Sequence, residues 1–186
     1  TLFVNLKNSK DVLRKNLRKS YKSLVNKEKK KVKLIFLEDK NLEKSCFEKW
    51  IDLYKSVLNR GNKDLNNDAI KLVKQGVVEK KILISLAYEE NILLGGMTFN
   101  INKFYASYSS AANTSEIETQ KYRSIGHFLL WESIIKLKEL NNNFIDLGET
   151  SLENTKNDKL KNIIRFKKGF GADEINTEYF EKDLNE

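Results

Sequence analysis

The stretch GHFLLWESIIKLKELNNNFIDLGET, residues 126 to 150, carries two kinds of pattern back to back. Its first part is apolar on much of a helical surface: Phe128, Leu129, Leu130, Trp131, Ile134, Ile135 and Leu137. A helix wetted on one side needs only a stripe, so this one is predicted to be central and packed on a sheet. Its second part, FIDLGE, reads as a short buried strand, interrupted by Asp146. Aspartate is depleted in strands, and a buried carboxylate needs a partner or a task. Glu149 stands where the strand runs out, and open sheets tend to bind ligands at the carboxyl ends of their strands. Either carboxylate suits a general base for an amine. The plainer alternative is that Asp146 caps the loop and Glu149 is solvated.

Upstream, YASYSSAANTSEIETQKYRSIG ends a strand in small residues: Ser107, Ser109, Ser110, Ala111 and Ala112. Small residues let a ligand lie against the backbone. Arg123-Ser-Ile-Gly126 then opens the helix, which is predicted to run from about residue 118 to 140. A helix start offers free amides and a positive dipole to an anion such as a pyrophosphate. Ser109, Ser110, Ala111, Arg123 and Gly126 are therefore the donor-binding candidates. His127, the one histidine, falls on the first turn, where the dipole lowers its pKa. It is a possible base, although a lone histidine is more often structural. No Ser/His/Asp set and no metal-ligand cluster is supported by the spacing.

Farther out the order is α+β. TLFVNL reads as a strand, and Asn8 or Ser9 can cap a single helix running to about Lys30. KVKLIFLE is a strand; helices over 41–60 and about 67–79 follow. KILISLAYEE and ILLGGMTFNINKFYASYSSAA read as three antiparallel strands turning near Glu90-Asn91 and Asn102-Lys103. After FIDLGE come a polar loop, a helix over 158–170 and a last strand near 174–180.

That last helix ends in IIRFKKGFGA, residues 163 to 172, which sets Lys167 and Lys168 between two phenylalanines and closes on Gly169-Phe170-Gly171. A helix C-cap accounts for Lys-Gly. It does not account for the second Phe-Gly. Lys168 is expected to face solvent.

The composition bounds the rest. The 186 residues suit one domain, and 40% hydrophobic content supports a real core. No apolar run approaches the roughly 20 residues that span a bilayer. No signal peptide is visible, and a start at Thr1 leads us to expect a longer parent. The single Cys46 excludes an internal disulfide and a cysteine zinc site; it reads as a small buried hydrophobe, in keeping with a reducing, cytoplasmic compartment. The net charge is +8. Residues 7 to 33 hold twelve Lys or Arg against Asp11 and Glu28. Such a segment can meet phosphate, RNA or an anionic membrane surface, or simply be a solvated face.

These segments together resemble the FemABX-like branch of the GNAT acyltransferase superfamily. Members of that branch carry a similar LLWE-type run in a central helix, matched by Leu129 to Glu132. They carry a strand ending in a D-L/F-G element, matched by Asp146-Leu147-Gly148, and an F-K-x-G-F-G signature, matched by Phe166 to Gly171. LRKNLRKSYKSLVNKEKKKVKL is similar to the family's basic helix and following strand. Arg123-x-x-Gly126 resembles part of the wider superfamily's Q/R-x-x-G-x-G/A loop, with Phe128 at the last position.

The resemblance implies an α+β, GNAT-like acyl-CoA N-acyltransferase fold with a mixed, mostly antiparallel sheet. It implies one such domain over residues 1–186, expected to be the C-terminal half of a longer two-half protein, the alternative being a compact single-domain relative. The implied activity is transfer of an acyl or aminoacyl group to an amine of a cell-wall or surface-polysaccharide precursor. The donor would be acyl-CoA, aminoacyl-tRNA or an acyl carrier protein, with no tightly bound cofactor and no metal. Lys167 matches the signature lysine and would hold a donor phosphate or the reaction's oxyanion, with Asp146 or Glu149 as base. Arg18, Tyr108 and Phe166 are the acceptor-side candidates. Binding of tRNA and peripheral contact with the inner face of the membrane are left open. The competing readings are a basic RNA- or anionic-surface-binding module with a degenerate transferase site, and a structural half that docks on a partner half.

Overall fold

The computed structural model of the chain describes residues 1–38, 42, 45–114, 124–150 and 157–176. Among them are seven strands in one sheet and six α-helices. The strands are β1 (Leu2–Asn5), β2 (Lys33–Phe36), β3 (Ile82–Glu89), β4 (Ile92–Ile101), β5 (Tyr105–Asn113), β6 (Phe144–Asp146) and β7 (Asp173–Glu174). The helices are α1 (Lys10–Asn16), α2 (Lys19–Lys29), α3 (Cys46–Asn59), α4 (Asn67–Val78), α5 (Ile125–Glu139) and α6 (Asp158–Lys168). The sheet order is β2-β3-β4-β5-β6-β1-β7, antiparallel throughout except between β5 and β6. This is the mixed, mostly antiparallel α+β sheet expected.

Alternation along the strands divides the core in two. On β3, Leu83 and Ala87 face the layer built around α2 and α5, while Ile84, Leu86 and Tyr88 face α3 and α4. The helix α5 is buried on nearly every side, as its sequence requires: nine of its residues are buried, including Ser133, whose hydroxyl donates to Ser85 of β3 at 2.8 Å. Its low amphipathicity therefore marks a helix enclosed by α2, α6 and the sheet. Cys46 packs half-buried against the second core, beside Tyr88.

One expectation needs correction. The helix predicted to run unbroken to Lys30 is two helices. Leu17 adopts an extended conformation (φ −61°, ψ 131°) and ends α1; α2 restarts at Lys19. The break has a tertiary cause. The N–H of Arg18 donates to the carbonyl of Gly169 at 2.9 Å, and Asn16 packs on Gly171. The chain exchanges helical bonds for a docking site under the KKGFG turn, which local periodicity cannot register. The predicted helix start at 118–124 lies outside the described residues up to 123, as does the strand beyond 176.

Candidate active site

Strands β5 and β6 run side by side only at Tyr105 opposite Phe144, Ala106 opposite Ile145 and Ser107 opposite Asp146. Beyond that point β5 continues to Asn113. The backbone leaving β6 stays with β1 instead: the N–H of Leu147 donates to Leu2, and that of Leu2 to Gly148, at 2.8 and 3.0 Å. The sheet forks there. On the β5 arm, Thr98 opposes Ser110 while Phe99 opposes Tyr108, so Ser109 is an extra, exposed residue with no opposite. A bulge of this kind frees backbone groups from the ladder and re-aims side chains. The bulge also shifts parity: Ala106 and Tyr108 face the α5 core before it, and Ala111 faces that core after it. Ser109, Ser110 and Ala111 thus form a backbone-accessible wall of the fork.

Lys167, at the end of α6, stands in the fork. Its Nζ lies 4.5 Å from the centre of the Tyr108 ring on the β5 side. It lies 3.4 Å from where a Cβ on Gly148 would sit on the β6 side. Gly148 has φ +97°, a conformation that favours glycine, so the loop can turn around the ammonium. Burial lowers the pKa of Lys167, opposed by the charge of Asp146. Asp146 accepts from the Thr1 hydroxyl and from the N–H of Gly148 (2.5 and 2.8 Å), both at Oδ1, so it shapes the loop as well as neighbouring the lysine. Glu149 is exposed at the rim. The Tyr108 hydroxyl is pushed up to about 12 by burial and by Tyr54, which keeps it a donor at neutral pH.

The second lysine is not solvated as expected. Lys168 pairs with Glu174 of β7 at 3.0 Å, its side chain 31% exposed. The turn beyond it is clamped by aromatic rings. Phe166 and Phe170 are 5.2 Å apart in edge contact, and Tyr21 of α2 lies 5.3 Å from Phe170 and 4.3 Å from His127. Arg18 is exposed, its guanidinium 5.1 Å from the Tyr21 ring centre, so it borders this cluster rather than the fork. Phe166 joins the two regions, touching the His127 ring at 4.9 Å.

His127 is held neutral, its pKa lowered to about 4 chiefly by burial and secondarily by Arg18. The expected cause, the helix dipole, is not the leading one. Its Nδ1 is buried with no hydrogen-bond partner among the described residues. The sign follows: the unfolded chain binds a proton near pH 6.5 and the folded chain does not. The stabilisation is complete above 6.5 and is lost as pH falls toward 4. Thermal unfolding between pH 7.5 and 4.5 should show a shallower acid loss in His127→Gln than in the parent; equal slopes would mean the ring protonates freely when folded.

At the start of α5, Arg123 lies outside the described residues. Phe128 is buried in the core at 2% exposure. Among the described residues, a Cβ on Gly126 would meet nothing nearer than Phe166 at 3.8 Å and Met97 at 3.9 Å. Met97 pairs with Ala111, which puts Gly126 on the same side as the β5 wall. Tyr108, Asp146 and Lys167 are thus brought together, with Ser109 to Ala111 and Gly126 adjoining. Tyr54, Gly148, Tyr21 and Glu28 were not singled out from sequence. Gly148 lay within a quoted motif, and Glu28 was an isolated acid in a basic segment; Tyr54 and Tyr21 gave no signal beyond helical spacing.

No family model matches the chain, and no curated protein matches it. Solved structures do. FemX superposes with a TM-score of 0.69 over 92% of this chain at 10% identity. The chain spans only 58% of FemX. An aminoglycoside acetyltransferase from an uncultured soil metagenomic sample, in complex with sisomicin, gives 0.59 over 83% of this chain and 99% of its own, at 16% identity. A predicted acetyltransferase from Clostridium acetobutylicum, solved with acetyl-CoA, gives 0.57 over 82% and 96%, at 13% identity. The fold is therefore GNAT-like. Among the described residues no helix is long and apolar enough to cross a membrane, and no group of acidic, histidine or cysteine side chains could hold a metal.

Proposed function

We propose that the chain transfers an acyl or aminoacyl group from an activated donor, acyl-CoA or aminoacyl-tRNA, to an amine of a cell-wall or surface-polysaccharide precursor. The observation that carries this is the ammonium of Lys167 set in the fork between β5 and Gly148. The donor would lie along Ser109–Ala111 with its tether toward Gly126. The amine's lone pair attacks the acyl carbonyl carbon, and the oxyanion forms beside Lys167 and the backbone N–H groups freed by the bulge. The amine's surplus proton passes to Asp146 or Glu149. Collapse breaks the bond to the donor's sulfur or oxygen, which leaves with that proton, returned by the carboxyl group. Phe166 and Tyr108 would border the acceptor.

Aminolysis of acetyl-CoA and of aminoacyl-tRNA, with a panel of amino sugars followed by mass spectrometry, tests the reading. Amide product supports it. Simple binding without product, for every donor and acceptor, opposes it.

Gly126 offers a separable test. With space for a methyl group among the described residues and no positive φ, Gly126→Ala should raise stability by about 0.5–1 kcal/mol, roughly 1–4 °C in Tm. If a donor passes close to the backbone there, the same variant should raise the donor's KM. A stabilised variant with an unchanged KM removes Gly126 from the donor site.

The second reading, a basic module for RNA or an anionic surface, is favoured by one observation: Lys10, Lys15, Lys19, Lys27, Lys29 and Lys30 are all exposed on α1, α2 and the residue that follows α2. Salt-dependent RNA binding with no turnover would put that reading first.

A further inference from the structure

Within the basic segment from Lys7 to Lys33, Glu28 does what no neighbour does. It is buried at 1% exposure, near the end of α2. Its carboxylate accepts the hydroxyl proton of Ser124, the N-cap of α5. Ser124 is itself buried and makes no side-chain cap bond to its own helix. No acidic residue lies in the first turn of α5. The Lys27 ammonium, at 4.0 Å and half exposed, is too distant and wet to cancel the charge. The negative charge that would favour the positive end of the α5 dipole is thus supplied from within the chain, by Glu28 through Ser124.

Phosphate groups bind at helix starts because free amides and the dipole face them. A second anion arriving here meets a fixed carboxylate in a poorly solvated place. Like charges at such range repel by an amount that water screens only in part. The Phe128 side chain is turned into the core, so it is not what an anion at this helix start would meet; the Glu28 carboxylate is.

We infer that Glu28 is a specificity-determining residue: its buried carboxylate occupies the start of α5 and turns away donors that place a diphosphate there. The donor this chain accepts then presents its activated carbonyl to Lys167 on a tether with no diphosphate against α5. This rests on the transferase reading above and narrows its donor class.

Two probes separate the inference from that reading. Acetyl-CoA carries a diphosphate; the acetyl thioester of N-acetylcysteamine carries the same reacting group and none. Aminolysis of both by the parent chain should favour the short thioester in kcat/KM. Glu28→Gln keeps an acceptor for Ser124 and removes the charge, so it should raise the acetyl-CoA to short-thioester ratio on the order of tenfold. Calorimetry of coenzyme A should show binding strengthened by the same factor. Coenzyme A binding that is equal in parent and variant, present or absent in both, overturns the inference whatever the turnover. Turnover of neither thioester counts against thioester transfer, while the calorimetry still decides the role of Glu28. A folded Glu28→Ser variant serves as a second charge-removing substitution should Glu28→Gln fail to fold.

Discussion

Gly169→Ala is expected to destabilise the chain by roughly 2–3 kcal/mol, a fall of about 5–10 °C in Tm. The added Cβ would lie 2.2 Å from Cε2 and 2.6 Å from Cζ of Tyr21, and its own backbone carbonyl is tied to the N–H of Arg18. Tyr21 has nowhere to retreat. It is 7% exposed and held between His127, Phe170 and the guanidinium of Arg18. Either the ring or the end of α6 must move, and α6 carries Lys167 two residues earlier. The variant should therefore lose rate as well as stability. The contrast with Gly126→Ala makes the test specific, since one glycine is filled by a neighbour and the other is not. A change within about 0.5 kcal/mol for Gly169→Ala would mean that the KKGFG turn is loosely docked, and that the break between α1 and α2 has another cause.

Lys167→Met is expected to separate stability from chemistry. Methionine keeps most of the side chain's length and removes an ammonium whose charged form burial disfavours. The folded state should be as stable as the parent or more so. If the ammonium faces the developing oxyanion, kcat should fall about 10²–10³-fold, the loss typical of one removed oxyanion donor. KM should change far less. The pH dependence has a definite sign. The cation is the working form, and burial lowers its pKa, so the rate should decline on the alkaline side before the ordinary lysine range near 10.4 is reached. A variant with full kcat assigns Lys167 to packing against Tyr108 alone.

What sequence could and could not convey follows from the range of each interaction. The meander from Ile82 to Asn113 was legible because alternation, Glu90-Asn91 and Asn102-Lys103 are local signals. The enclosure of α5 was legible because too many of its residues are apolar for one face. The fork was only half legible. Small residues marked β5 and Asp146 marked β6, but parallel pairing over three residues and the bulge at Ser109 depend on neighbours distant in the chain. The two glycines of KKGFG stood out as turn residues. Their reasons are different: Gly169 yields to Tyr21, while Gly171 has φ +73° and lies against Asn16. Those reasons could not be read without knowing that α2 crosses the turn. Glu28 was visible as an isolated acid, and its partner Ser124, 96 residues away, was not.

In the proposed reaction the reacting carbonyl lies in the fork beside Lys167. The most direct measurement uses the bromoacetyl thioester of N-acetylcysteamine, which places an alkylating carbon next to the carbonyl. Its modification sites are mapped by peptide mass spectrometry, with and without excess acetyl thioester. Because burial lowers its pKa, Lys167 holds more free amine at pH 8 than an exposed lysine does. Alkylation is expected at Lys167 ahead of the surface lysines, with protection by the acetyl thioester and loss of turnover in proportion. Labelling spread over the exposed lysines and Cys46, with Lys167 unmodified and turnover retained, would contradict it.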